Sequence, residues 1–266
     1  MAEGAVIRRR TPLRLWLSAG WLTLFFLAAL FAGPLSPQDP LAQDLLFERL
    51  PPFWASGAEP GFFLGTDSLG RDVLSRLIHG AQIAAIVALV AGFGSCLIGT
   101  TLGLIAGYYR GWVDQVISRV VDVWMSFPAV LFAILLIAVI GTGLTSVIVA
   151  IIVIDWTRFC RVVRAETMAQ ARMDYIDSAR IAGFSRAQTL WREVFPNVLP
   201  VIIAVLTLEM GIAIVVEAIL SFVNLSISTD DPTWGGMIAE GRLSIHQAWW
   251  VLVFPMITLF LTVLSF

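Results

Sequence analysis

Three carboxylates stand where apolar residues surround them: Asp155, Glu209 and Glu217. An ionised side chain at mid-bilayer depth costs about 2.5–3.5 kcal/mol on insertion scales, so each of these must face protein or water rather than lipid. Glu209 and Glu217 are eight residues apart, close to two helical turns, and therefore share a helix face. That face can line a path for polar solutes or meet a partner. A hydrogen bond to a neighbouring helix or loop is the simpler role, above all for Glu217 near the end of its apolar run. Asp155 precedes Arg158 by three residues, the spacing of a helical ion pair.

Other chemistries find no support. All 17 basic residues are arginine, so a phosphate loop ending Gly-Lys-Ser/Thr is excluded, as is lysine Schiff-base catalysis. Cys96 and Cys160 have neither pair spacing nor a metal pattern and read as small apolar packing residues. His79 and His246 are too few for a metal site. No Ser/His/Asp arrangement, histidine cluster or HExxH motif occurs, and a net charge of −2 gives no sign of nucleic-acid binding.

The elements that must position these residues are membrane spans. Hydrophobic residues make up 58% of the chain and charged ones 14%, too few polar groups to clothe a soluble domain of this length. The apolar residues fall into six blocks, each near the 20 or so residues that cross a bilayer as helix. They run from about Leu13 to Phe31, Ala81 to Gly107, Val116 to Ile140 with a kink at Pro128, Leu144 to Phe159, Val198 to Val223, and Ala248 to Phe266. The last is still apolar at Phe266, which leaves room for a short further tail. The first block is too long for a signal peptide and lacks a clear small-residue cleavage site, so a retained anchor is expected. Gly92, Gly99, Gly103 and Gly107 recur at the spacing of close helix packing.

Arginines orient the stack. With an internal N-terminus, the inner side receives Arg8, Arg9, Arg10, Arg14, Arg110, Arg119 and the seven from Arg158 to Arg192. The outer side receives Arg49, Arg71, Arg76 and Arg242, with the acids Asp39, Asp44, Glu48, Asp67, Asp72, Asp230, Asp231 and Glu240. This is the positive-inside pattern. Trp16, Trp21, Trp112, Trp249 and Trp250 lie near span ends, as interfacial anchors do.

Two polar segments carry the remaining signal. Arg158 to Pro196 parses as two short helices. Asp174 would cap the first, through Tyr175, Ile176, Ala179 and Ala182, and Gly183 would stop it. Ser185 and Gln188 have capping-box spacing for the second, Arg186 to Glu193, and Pro196 and Pro200 punctuate the start of the fifth span. Such a pair, presenting Tyr175, Ile176 and Phe184 beside charges, can dock a protein partner or lie on lipid headgroups. Outside, Gly65 to Leu77 reads as an amphipathic element at the mouth, with Leu69, Val73, Leu74 and Leu77 alternating with Arg71, Asp72 and Arg76.

The segment Asp177-Ser178-Ala179-Arg180-Ile181-Ala182-Gly183, followed by Phe195-Pro196, resembles the EAA loop of bacterial ABC importer permeases. Asp177 and Ser178 replace its first Glu and Ala, Ala179 and Gly183 match, and Phe195 replaces Leu. Leu64 to Leu77 is similar to the segment before the second span in C-type subunits of the dipeptide/oligopeptide/nickel permease family. Glu217-Ala218-Ile219-Leu220-Ser221-Phe222 and Pro232 to Arg242, with Trp234-Gly235-Gly236-Met237, resemble two further motifs of that family, in the same order.

The resemblance implies an all-α permease of the type I ABC importer fold, six spans and a cytoplasmic coupling helix. Residues 1–32 would be the inner N-terminus and first span, 33–80 an extracytoplasmic segment, and 81–266 the five-helix domain with its coupling loop at 164–197. Tyr175, Ile176, Asp177, Ser178, Ala179, Arg180 and Gly183 would couple to the ATPase; Asp67, Arg71, Asp72 and Trp234 would form the outer loop. Implied partners are a homologous permease, two ATPase subunits that hold ATP and Mg, an extracytoplasmic binding protein and the lipid of a bacterial inner membrane. The chain itself would bind no cofactor and would not be an enzyme. Short peptides are the expected cargo, with nickel chelates, glutathione or another small polar solute as the alternative. A secondary transporter fits less well, since intramembrane charges are few and no repeat is evident.

Overall fold

The computed structural model describes residues 13–226 and 231–266. Arg8, Arg9, Arg10 and Asp230, which enter the charge asymmetry above, lie outside the described residues. Among the described residues the regular structure is helical, apart from one isolated antiparallel bridge between Thr66 and Asp72.

Helix α1 (Leu13–Leu30) is followed by a single turn, α2 (Ala32–Leu35), and a mostly irregular segment up to α3 (Val73–Tyr109). The expectation that the second span starts near Ala81 needs correction: the helix starts at Val73. Its first turns looked like loop because they carry Ser75, Arg76 and His79. Asp72 caps the helix, its Oδ2 accepting from the Ser75 amide at 2.8 Å and the Ser75 hydroxyl at 2.6 Å. At 37 residues α3 is about 55 Å long and must project beyond a hydrocarbon core of roughly 30 Å.

The third block breaks at Pro128 more sharply than a simple kink. It divides into α4 (Gly111–Met125) and α5 (Ala129–Ile140), bent by 86°. Pro128 has no amide hydrogen and disfavours helical geometry at Phe127, so the helix ends and restarts. Helix α6 (Leu144–Gln170) continues eleven residues past the expected Phe159. The polar stretch after α6 then forms α7 (Asp174–Ile181) and α8 (Arg186–Thr189). A π-turn over Leu190–Val194 joins α8 to α9 (Phe195–Phe222) as one 37-residue rod. Pro196 and Pro200 lie inside this rod instead of punctuating its start; the π-turn directly before them gives the backbone the slack that two missing donors require. The outer stretch expected as loop contains α10 (Trp234–Leu243), capped by the Thr233 hydroxyl, before α11 (Trp249–Ser265). By length and composition α1, α3 and the α8–α9 rod can each cross a membrane, and α4 with α5 makes a fourth crossing if the bent pair counts as one.

Helices α3 and α6 form the most extensive pair. Gly99, Gly103 and Gly107 lie against the Trp156, Cys160 and Arg164 carbonyls of α6. A Cβ on Gly99 would stand 2.3 Å from the Trp156 oxygen, so the backbones touch directly. Gly92 meets Met210 of α9 instead.

The end of the bundle at the start of α3 and at α10 is closed by a largely buried ion cluster. Asp67 and Glu240 face Arg71 and Arg76, so four charges sum to zero. Arg71 reaches Asp67 at 2.7 Å and Glu240 at 2.8 Å; Arg76 reaches Glu240 at 2.7 Å and also pairs with Asp67. The cluster ties the outer segment and α3 to α10. Beside it the Trp234 indole donates to the Leu77 carbonyl and the Trp250 indole to the Thr66 carbonyl, both at 3.0 Å. The reading of Gly65 to Leu77 as a surface element at the mouth is thereby corrected. Asp67, Arg71, Asp72 and Arg76 are buried: Asp67, Arg71 and Arg76 pair within the cluster, and Asp72 Oδ2 is taken up by the α3 cap. Trp250 and Trp21 likewise turn inward, Trp21 donating to the Thr262 hydroxyl at 3.0 Å.

Truncating Arg76 to alanine leaves Asp67 and Glu240 sharing one arginine. Arg76→Ala should cost about 3–5 kcal/mol, read as a lower unfolding midpoint in detergent. Gly99→Ala must push α3 off α6 and should cost about 1–3 kcal/mol in the same assay.

Candidate functional site

The loop between α6 and the rod is a short helix on a buried anchor. Met173, not Asp174, is the residue before α7; Asp174 occupies the first helical position, where its charge still suits the helix dipole. Gly183 takes φ +88°. Its amide donates to the Arg180 carbonyl at 3.0 Å and the Phe184 amide to the Ala179 carbonyl at 3.1 Å, the paired bonds of a Schellman stop. Ser185 and Gln188 complete the capping box of α8.

Ile176 was expected to present an apolar group outward; it is instead fully buried. It packs among Leu104, Tyr108, Val163, Leu190 and Val194, so it pegs α7 to α3, α6 and the rod. Ala179 is buried beside it. Tyr175 is half-buried, and its hydroxyl donates to Gln170 Oε1 at 2.9 Å. Burial, with the nearby Glu193 carboxylate, pushes the Tyr175 phenol up, so it stays a donor. Asp177, Ser178, Arg180 and Gly183 are exposed, with Arg180 and Asp177 paired at 3.4 Å. The outward hydrophobe that sequence reasoning missed is Ile181, 88% exposed. Its signal was a lone large apolar residue ending the polar side of a short helix.

The intramembrane carboxylates divide into two environments. Asp155 and Glu209 are buried at the contact of α6 and α9 and share Arg158, whose Nη1 lies 3.9 Å from Asp155 and 3.3 Å from Glu209. Glu217, two turns along α9, is sealed away. The Ser221 hydroxyl donates to its Oε1, and Ser226 Oγ lies at 3.3 Å from the same atom. The Ser226 carbonyl in turn accepts from the Gly143 amide at 2.7 Å. Glu217 therefore tethers the end of α9 to the turn before α6. Of the outer residues, Asp67 and Arg71 belong to the buried ion cluster, Asp72 to the α3 cap and Trp234 to the seam of α10 with α3. Among the described residues no group of three or more His, Cys, Asp or Glu side chains could hold a metal ion.

Comparison with known proteins fits this arrangement. Residues 99–266 match the family model described as "Binding-protein-dependent transport system inner membrane component". The di/tripeptide transport system permease protein DppC of Pseudomonas aeruginosa is 36% identical over 245 residues, covering 92% of this chain and 81% of that protein. The glutathione transport system permease protein GsiD of Pectobacterium atrosepticum is 37% identical over 251 residues, covering 94% and 81%. The fold is also that of a chain from the inward-facing MetNI methionine ABC transporter, with a TM-score of 0.58 at 19% identity over 70% of this chain and 91% of that one. The chain belongs to the inner-membrane components of binding-protein-dependent transport systems, the permease subunits of ABC importers.

Proposed function

We propose that this chain is one of two homologous permeases in an ATP-driven importer of short peptides. The observation that carries the reading is the inner loop. Helix α7 has a buried peg, Ile176, and an exposed rim of Asp177, Ser178, Arg180 and Ile181. A rim of that kind can seat in a groove of an ATPase subunit, while the peg passes movement to α3, α6 and the rod. ATP and Mg are held by two such ATPase subunits, and their closure drives the switch between outward and inward access. An extracytoplasmic binding protein delivers the cargo.

In this reading the chain crosses the membrane six times, by α1, α3, the bent pair α4–α5, α6, the rod and α11, with its N-terminus in the cytoplasm. Residues 33–80 and α10 then lie outside and α7 inside, which matches the arginine distribution. Residues 81–266 are the transport domain, with the coupling loop at 164–197. Peptide cargo is supported by the relatives named as dipeptide permeases. The relatives named as glutathione permeases favour a second reading, glutathione being itself a tripeptide. Competition between labelled dipeptide and glutathione for uptake separates the two.

Gly183→Val forces a branched side chain into left-handed backbone, at about 1–2 kcal/mol. No atom lies within 4 Å of the added Cβ, so the fold itself has room for it. The variant should insert normally yet lose about tenfold in ATP-driven uptake; wild-type uptake would remove α7 from coupling. A cysteine at position 178 should react with impermeant thiol reagents from the cytosolic side only. Reaction from outside would reverse the topology.

A further inference from the structure

A column of ion pairs climbs the seam between α4 and α6 and ends on α9. Nearest the cytosolic end, Arg164 Nη2 lies 2.7 Å from Asp114 Oδ2. Next, Arg161 pairs with Asp122 at 3.4 Å. Deepest, Arg158 serves Glu209 and Asp155. The arginines are three residues apart, nearly one turn each, so the column spans about 9 Å along α6.

The column is open on one side. The Arg161 and Asp122 side chains are 54% and 59% exposed, and that of Arg158 is 37% exposed. Two cavities, of about 280 and 860 Å³, lie along it, and Ser118, Asp122 and Arg164 line both. Each can hold many waters. Helix α1 presents the opposite surface: Leu17, Leu24 and Leu27 are exposed there, as lipid contact requires. Charges exposed on a membrane helix cannot face acyl chains. Nor do these need counter-charges from a covering protein. Among the residues that pair in the column or line its cavities, Asp114, Asp122, Asp155 and Glu209 are matched in number by Arg158, Arg161, Arg164 and Arg119; Arg110, whose charge also acts on Asp114, lines neither cavity and holds the Met168 carbonyl.

We propose that this column is the wall of a water-filled vestibule on the cytosolic half of the translocation path, and that its zero net charge suits it to zwitterionic solutes. A wall of one sign would hold one end of a peptide and repel the other. A balanced wall offers hydrogen bonds at every step and strong attraction at none, as passage requires. The inference rests on the importer reading above and names the surface along which the cargo leaves.

The test uses inside-out vesicles carrying the whole transporter, with Cys96→Ala and Cys160→Ala removing the native thiols. Ser118→Cys should react with a charged methanethiosulfonate at least about tenfold faster than Leu24→Cys on α1. Cationic and anionic reagents should react with it at similar rates. Adding Asp122→Asn leaves one uncompensated positive charge and should shift that ratio about tenfold toward the anionic reagent; Arg161→Gln should shift it the other way. A merely structural ion pair would not produce opposite shifts. If Ser118→Cys is as slow as Leu24→Cys in vesicles that still release luminal dipeptide when ATP is added, the vestibule is wrong and the importer reading stands. Fast labelling with the expected ratios, in vesicles that release no luminal peptide on ATP addition, supports the vestibule and removes the peptide cargo. A ratio unmoved by either neutralisation overturns the charge balance.

Discussion

The rest of the molecule depends on the backbone contact between α3 and α6. Three glycines one turn apart on α3 meet three carbonyls one turn apart on α6. In lipid no hydrophobic drive pulls helices together, so close van der Waals contact must hold them. This seam carries both functional regions. Its α6 side bears Asp155, Arg158, Arg161 and Arg164, and its inner end, with Leu104, Tyr108 and Val163, forms much of the socket for Ile176. Helix α7 is therefore joined to α3, α6 and the rod through a buried cluster of packed side chains.

A second constraint is the cost of charge in a low-dielectric medium. The chain meets it in two ways. At the outer end, Asp67, Arg71, Arg76 and Glu240 neutralise each other, largely out of contact with solvent, and serve to join three elements. At the other end, the pairs on α4 and α6 neutralise each other but remain open. The same pairing rule thus yields a rivet in one place and a wet wall in the other. The difference lies in whether another helix covers the pair.

Much of this was legible in sequence where the signal was local. Gly183 as a helix stop, the Ser185–Gln188 capping box and the glycine stripe of α3 all depend on residues within a few positions of one another. Element boundaries were less legible. Polar residues at Ser75, Arg76 and His79 read as loop, although they open a helix. Pro128 signalled a kink but not an 86° bend, since the angle depends on what α5 packs against. Helix α10 was hidden because its polar ends and glycines resemble a loop, and only Ala218 and Leu252 reveal why Gly235 and Gly241 must be small there.

The sequence by itself determined a helical membrane chain, its family, and the stop and capping box of the loop between α6 and the rod, because apolar length, capping chemistry and ordered motifs are properties of the chain. Tertiary structure alone decided what each charged or apolar side chain does. It turned Ile176 inward and left Ile181 outside, sealed Glu217 while joining Glu209 to Arg158, and buried Asp67 and Arg71 that looked exposed. The physical reason is that burial and pairing are set by residues distant in sequence. Arg76 and Glu240 are 164 positions apart, and no local pattern reports which partner a charge will find.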